Sequence, residues 1–267
     1  RDITMLKKFQ EQLIQSQKME DLGRLAGGVA HEINTPLGII LGYTQLLMDD
    51  ITDEESLENL RIVEKQAKVC RKIVADLLGF SRHSHSVQGA LDVNASLQEV
   101  IQLVEHAFFL NRIRVVFTPD ESLPSMFGDR ERLKQVWLNL LNNAADAIGQ
   151  DGIIAIATRH PAQGRIEVRV ADTGMGVEPG NLSKIFDPFF TTKQVGKGTG
   201  LGLSVSFGII KEHHGTITAL SPAPKTLLPA EVAEAYPDHP GTVFIVSLPV
   251  TPGGQADAAE NGLEESA

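Results

Sequence analysis

Apolar residues recur at helical steps of three, four and seven over the first third of the chain. From Met19 to Met48, residues Leu22, Leu25, Val29, Ile33, Leu37, Ile40, Leu41 and Leu47 trace one stripe. That is the pattern of an amphipathic helix with a face to bury. Asp49, Asp50 and Ile51 read as a turn. Thr52-Asp-Glu-Glu55 then predicts a capping box, with the Thr52 hydroxyl accepting from a first-turn N–H and Glu55 reaching back. A second stripe follows: Leu57, Leu60, Val63, Ala67, Cys70, Val74, Leu77 and Leu78, ending near Phe80. Two long helices with a short turn make an antiparallel hairpin. One hairpin cannot cover both stripes, whereas two copies make a four-helix bundle, so a homodimer is expected. Cys70 reads as a small core residue of that bundle. Upstream, Leu6, Phe9 and Leu13 have heptad-like spacing and suggest the end of a coiled coil over 1–18. A frayed helix end is the alternative.

The pattern changes after a polar, aperiodic linker, Ser81–Ala90. Asn94 to Phe109 has helical spacing. Ile113 to Phe117 is a β-branched run closed by Thr118-Pro119. Asp129 is placed to cap a helix over 130–149. Gly152–Thr158 and Arg165–Val170 read as strands, Leu201–His213 as a helix, and Thr216–Leu220 and Thr242–Leu248 as closing strands. Helices and strands in this irregular order predict an α/β sandwich with one mixed sheet covered on one face. The proline-rich stretch 221–240 reads as a loop insertion, and 251–267 as a disordered tail. The expected organisation is a coiled-coil linker over 1–18, an all-α hairpin domain over 19–85, the α/β sandwich over 86–250, and the tail.

Composition narrows the function. The chain has 267 residues, enough for two domains, with 42% hydrophobic and 22% charged residues, as in soluble globular proteins. A net charge of −10 with no basic stripe argues against nucleic acid or an anionic membrane as partner. The single cysteine allows no internal disulfide. No apolar run reaches the roughly 18 residues of a membrane span, and no signal peptide is recognisable. The first residue is Arg1, so the expectation is a cytoplasmic piece of a longer protein, with a sensor or membrane anchor upstream. His83 and His85 lack further ligands and do not read as a metal site.

Five stretches carry chemistry. His31 lies two residues from Val29 and from Ile33, so it points off the apolar stripe towards solvent or a visiting partner. Glu32 follows it, and can fix the tautomer of the ring by a hydrogen bond. Thr35 stands one turn on. Pro36 cannot donate to the carbonyl of Glu32, so the helix is expected to loosen there. On the 130–149 helix, Asn139 and Asn143 are four residues apart and leave the same face. Neutral amides can approach a polyphosphate without repelling it, and one amide oxygen can complete the shell of a phosphate-bound magnesium ion. Val170-Ala-Asp-Thr-Gly-Met-Gly176 ends a strand: a buried Asp172 would accept from an exocyclic amine, while Gly174 and Gly176 let the backbone approach a ring. Lys184–Lys193 is an aromatic-rich loop. Gly196-Lys-Gly-Thr-Gly-Leu-Gly-Leu203 runs into a helix, exposing N–H groups suited to phosphate. It is neither a Walker A loop nor a G-x-G-x-x-G fingerprint. The long irregular stretch 173–199 suggests a functional lid.

His31-Glu-Ile-Asn-Thr-Pro-Leu-Gly38 resembles the phosphoacceptor box of sensor histidine kinases. In order and spacing, the other four stretches resemble the N, G and F boxes of the histidine-kinase ATP-binding domain, a relative of DNA gyrase, MutL and heat-shock chaperone ATPases. The resemblance covers about residues 19–250. It implies ATP and Mg2+ as ligands and a response-regulator receiver domain as partner. It makes His31 the phosphoacceptor, Asn143 a magnesium ligand and Asp172 the adenine-reading carboxylate. Thr199, Gly200, Leu201, Gly202 and Leu203 would line the phosphates, with Lys193 and Lys197 as weaker phosphate contacts. It gives Thr35 a role in positioning water during regulator dephosphorylation. His214 departs from the pattern, since the family often has glycine there. A zinc protease is excluded because Thr35 stands where H-E-x-x-H needs histidine. A hydrolysing ATPase of the superfamily would carry glutamate at the position of Asn139. A non-catalytic scaffold would be favoured by a lost histidine or a broken glycine loop, and the chain has neither.

Overall fold

The computed structural model describes residues 32–78, 88–161, 164–193, 198–228, 232 and 241–250. The coiled coil expected over 1–18, His31, the His83/His85 pair, Lys197 and the tail lie outside the described residues. The chain divides into two compact units, Arg1–Ser84 with Asp187–Gly208, and His85–Phe186 with Ile209–Ala267.

In the first unit, residues 32–50 are helical (α1) and Glu54–Leu78 form α2. Leu37, Leu41 and Ala67 form their common core, and Gln45 Nε2 donates to Glu64 at 3.3 Å, so the helices run antiparallel. The sequence expectations need two corrections here. The helix passes through Pro36 without a break. The fixed φ of proline is itself helical, and the one bond it forfeits is to the carbonyl of the exposed Glu32. The cap of α2 is Asp53, not Thr52: its carboxylate accepts from Ser56 N–H at 2.9 Å, and Leu57 N–H donates to its carbonyl at 3.0 Å. The helix starts one residue later than the capping-box reading requires. Cys70 is exposed. It lies three residues from Ala67 and so about 60° off the packed seam, whereas Val74, two turns from Ala67, is buried.

The second unit opens with a strand absent from the sequence reading. Gln88–Leu91 (β1) lies in the stretch taken as linker and pairs antiparallel with Met126–Asp129 (β3). Val93–Leu110 (α3) is capped by Asp92, which accepts from Ala95 N–H. Ile113–Thr118 (β2) follows. Arg130–Ile148 (α4) is capped as expected by Asp129, which accepts from the N–H groups of Glu131 and Arg132 at 3.1 Å. Gly152–Arg159 (β4), Arg165–Asp172 (β5), Thr216–Leu220 (β6) and Thr242–Pro249 (β7) complete a five-stranded sheet in the order β2-β4-β5-β7-β6, and Gly202–Glu212 (α5) precedes β6. Only β2 and β4 are parallel, so the sheet is mixed.

Register sorts the sheet into two faces. Ile154, Ile156, Val168, Val170, Phe244 and Val246 share one face by cross-strand pairing. The apolar sides of α3 and α4 complete that core, with Leu97, Leu133, Trp137, Leu140 and Leu141 fully enclosed. Each such side chain contributes roughly 1.5–3 kcal/mol. The opposite face is not bare. Ile153, Ala155, Ala171 and Val243 are packed by Val232, Ala223, Leu227 and Leu228. The insertion that read as a plain loop therefore covers part of the second face.

Candidate functional site

Asp172 is the last residue of β5 and lies on the sheet face shared with Ile154 and Thr242. It is 3% exposed. Its Oδ1 accepts from the N–H of Gly174 at 2.8 Å and of Thr242 at 3.3 Å. Burial nonetheless dominates and pushes its pKa up to about 6, against the opposing pull of those two N–H groups. No described residue donates to Oδ2, which leaves it an acceptor for an incoming N–H donor.

The turn after Asp172 is locked to α4. Gly174 lies so close to Ala147 that a Cβ would sit 2.6 Å from that residue's carbonyl. Met175 N–H donates to the Ala147 carbonyl at 3.1 Å. Gly176 has φ +75°, the left-handed region that favours glycine. Ala147 is one helical turn beyond Asn143, so the structure brings Asp172, Gly174, Gly176 and the asparagine side of α4 together. Asn139 and Asn143 are half-buried on that helix. Among the described residues no group of three or more His, Cys, Asp or Glu could hold a metal. A donor set of neutral amides suits an ion whose shell comes mainly from phosphate and water.

In the other unit, Gly200 and Phe189 meet backbone to backbone. Both have positive φ, +67° and +64°, and a Cβ on Gly200 would stand 2.4 Å from the Phe189 carbonyl carbon. Thr199 Oγ1 accepts from Leu201 N–H at 3.3 Å, and Leu201 is fully buried. Gly202 and Leu203 begin α5. Lys193 N–H donates to Thr191 Oγ1 at 3.1 Å. Glu32 and Thr35 are exposed on α1.

Several residues that hold the Asp172 turn escaped the sequence reading. Thr173 Oγ1 accepts from Ile153 N–H at 2.9 Å. Gly241, with φ +50°, donates to the Gly174 carbonyl at 3.1 Å. His213, just past α5, instead ties that helix to the cap of α4: Nδ1 is 2.8 Å from the Ile209 carbonyl, and Nε2 accepts from Asp129 N–H at 2.9 Å. Glycine before a β-branched strand signals a turn, but nothing in sequence ties Gly241-Thr242 to a carboxylate 70 positions earlier. Phe186 stacks edge-on against Phe244, with ring centroids 6.5 Å apart, so this aromatic of the 184–193 stretch anchors it to the core.

Two family models match the chain in succession. Residues 21–86 match the His Kinase A (phospho-acceptor) domain, and 128–252 match the histidine kinase-, DNA gyrase B- and HSP90-like ATPase. The signal transduction histidine-protein kinase AtoS of Escherichia coli (strain K12) is 37% identical over 253 residues, covering 95% of this chain and 39% of that protein. The sensor histidine kinase ZraS of Klebsiella oxytoca is 38% identical over 216 residues, covering 80% and 46%. The chain thus spans less than half the length of these curated relatives. The crystal structure of histidine kinase ThkA in complex with response regulator protein TrrA superposes with a TM-score of 0.62 at 29% identity, covering 95% of this chain and 69% of that one. With a phosphoacceptor match followed by an ATPase match, and relatives aligned over nearly its whole length, this chain belongs to the two-component sensor histidine kinases.

Proposed function

We propose that the chain transfers the γ-phosphoryl group of ATP to a nitrogen of His31 and passes it to an aspartate of a response-regulator receiver domain. The observation that carries this reading is a juxtaposition: a buried carboxylate with one uncommitted oxygen beside a helix that carries amides, not carboxylates, at positions 139 and 143. Asp172 Oδ2 accepts the exocyclic amine of adenine. Gly174 and Gly176 admit the ring. Asn139 and Asn143 face the phosphates, with Asn143 as the ligand of Mg2+, which supplies neutralising charge when bound. Thr199 to Leu203 offer backbone N–H groups to the phosphates at the start of α5, with Lys193 and Lys197 adding charge. Glu32 orients the ring of His31, whose other nitrogen attacks phosphorus as the bond to the ADP oxygen breaks. Positioning and charge stabilisation do most of the work in such transfers.

An amide at Asn139 cannot activate water, which favours transfer over hydrolysis. The exposed Thr35 hydroxyl orients water against the phospho-aspartate, giving the chain phosphatase activity on its regulator. The apolar residues left exposed on α1 and α2 support a homodimer. The domain boundaries that fit this reading are 19–85 for the dimerisation and phosphoacceptor domain and 86–250 for the ATP-binding domain, in the cytoplasmic portion of a longer sensor.

Incubation with γ-labelled ATP tests the proposal. His31→Gln is expected to abolish acid-labile label while leaving nucleotide binding intact, because acceptor and nucleotide residues lie on separate elements. Acid-labile label at the wild-type level in that variant would overturn it.

A further inference from the structure

We infer that Ser221 is a positioning residue of the nucleotide site, through which the insertion between β6 and β7 sets the conformation of the Asp172–Val177 turn. The inference rests on the kinase reading of that turn and adds to it a part of the chain that the family motifs do not include.

The two ends of the insertion meet at one hydroxyl. Ser221, the first residue after β6, accepts from Val177 N–H at 2.8 Å and donates to the carbonyl of Gly241 at 2.8 Å. Gly241, the last residue before β7, donates in turn to the Gly174 carbonyl at 3.1 Å. A Cβ on Gly241 would stand 2.1 Å from the carbonyl oxygen of Asp172. The next residue, Thr242, gives its N–H to the Asp172 carboxylate. The neck of the insertion therefore contacts the turn at Asp172, Gly174 and Val177, on both sides of the glycines that would admit a base. The body of the insertion is fixed independently, since Ala223, Leu227, Leu228 and Val232 pack on the second sheet face. A hydroxyl that both accepts and donates is needed at 221, because one partner is an N–H and the other a carbonyl. Alanine would strand both half-buried groups.

Binding of the Mg2+ complex of AMP-PNP, measured by calorimetry, tests the inference on the full chain. Ser221→Ala is expected to weaken binding about three- to tenfold and raise KM for ATP alike. The autophosphorylation rate at saturating ATP should be unchanged, since the turn orients the base and not the reacting phosphate. Ser221→Thr, which keeps the hydroxyl, should restore affinity. In the nucleotide-free protein the Val177 amide should exchange faster in the alanine variant. Unchanged affinity, a fall in the saturated rate instead, or a loss that threonine does not rescue would overturn the inference. A wild-type chain that fails to bind the analogue would instead defeat the kinase reading, and Val177 exchange would still report on the clamp.

Discussion

The hairpin and the α/β unit differ in how much of a core one chain closes. The α/β unit encloses Trp137, Leu140, Ile154, Ile166 and Leu248 within one chain, although Leu103, Phe109, Leu110 and Met175 stay exposed on it. The hairpin joins its helices through Leu37, Leu41 and Ala67, and leaves Tyr43, Leu46 and Ile62 more than half exposed. The closed unit, however, holds a buried carboxylate, Asp172, at a cost in stability. A self-sufficient core can carry such a group, whereas a hairpin that leaves its apolar face uncovered has little stability to spare.

The largest expected effect tests the closed unit. An acid with a higher pKa folded than unfolded adds stability below its unfolded value, and that stability is lost as pH rises through the folded value. For Asp172 the window runs from 3.8 to about 6, a gap equivalent to about 3 kcal/mol. Asp172→Asn should therefore stabilise the chain by up to about 3 kcal/mol at pH 7.5 and by little at pH 4, while losing nucleotide binding. Urea unfolding of both proteins at the two pH values measures this. Equal differences at both would mean that the carboxylate is not the burden described.

The second effect concerns the hairpin. Leu46→Glu removes an exposed side chain from the proposed dimer face and should weaken self-association by about 2 kcal/mol. Sedimentation at several concentrations reads it. A melting temperature independent of concentration in both proteins would remove the contrast between the units.

The smallest effect compares one device in both regions. Asp129 caps α4 in a buried setting, and Asp129→Ala should cost about 1 kcal/mol. Asp53 caps α2 in the open, and Asp53→Ala should cost less, because water replaces the lost acceptor. Thermal melts of the two variants rank them.

What could be read from the sequence follows the range of the interactions. Asp129 as cap of α4, the strands of the mixed sheet and the alternation along β5 are local patterns and were legible. The burial of Asp172 was also legible, from its place at the end of an alternating strand. The choice of Asp53 over Thr52 turns on one residue of helix start, below what a capping motif can resolve. The β1–β3 pair was missed because four residues including a glycine carry too little alternation. The Ser221 and Gly241 contacts join positions far apart in sequence, and no local pattern encodes them.

The short β1–β3 ribbon also has a mechanical meaning. Gln88, the first residue of β1, is paired with Asp129, the N-cap of α4. A pull on the backbone at residue 88 would reach the N-cap of the asparagine-bearing helix across one rung. In an antiparallel ribbon pulled from that end the first rung takes the whole load, and the rungs out to Leu91 and Met126 would take it up one by one only as the ribbon unzips.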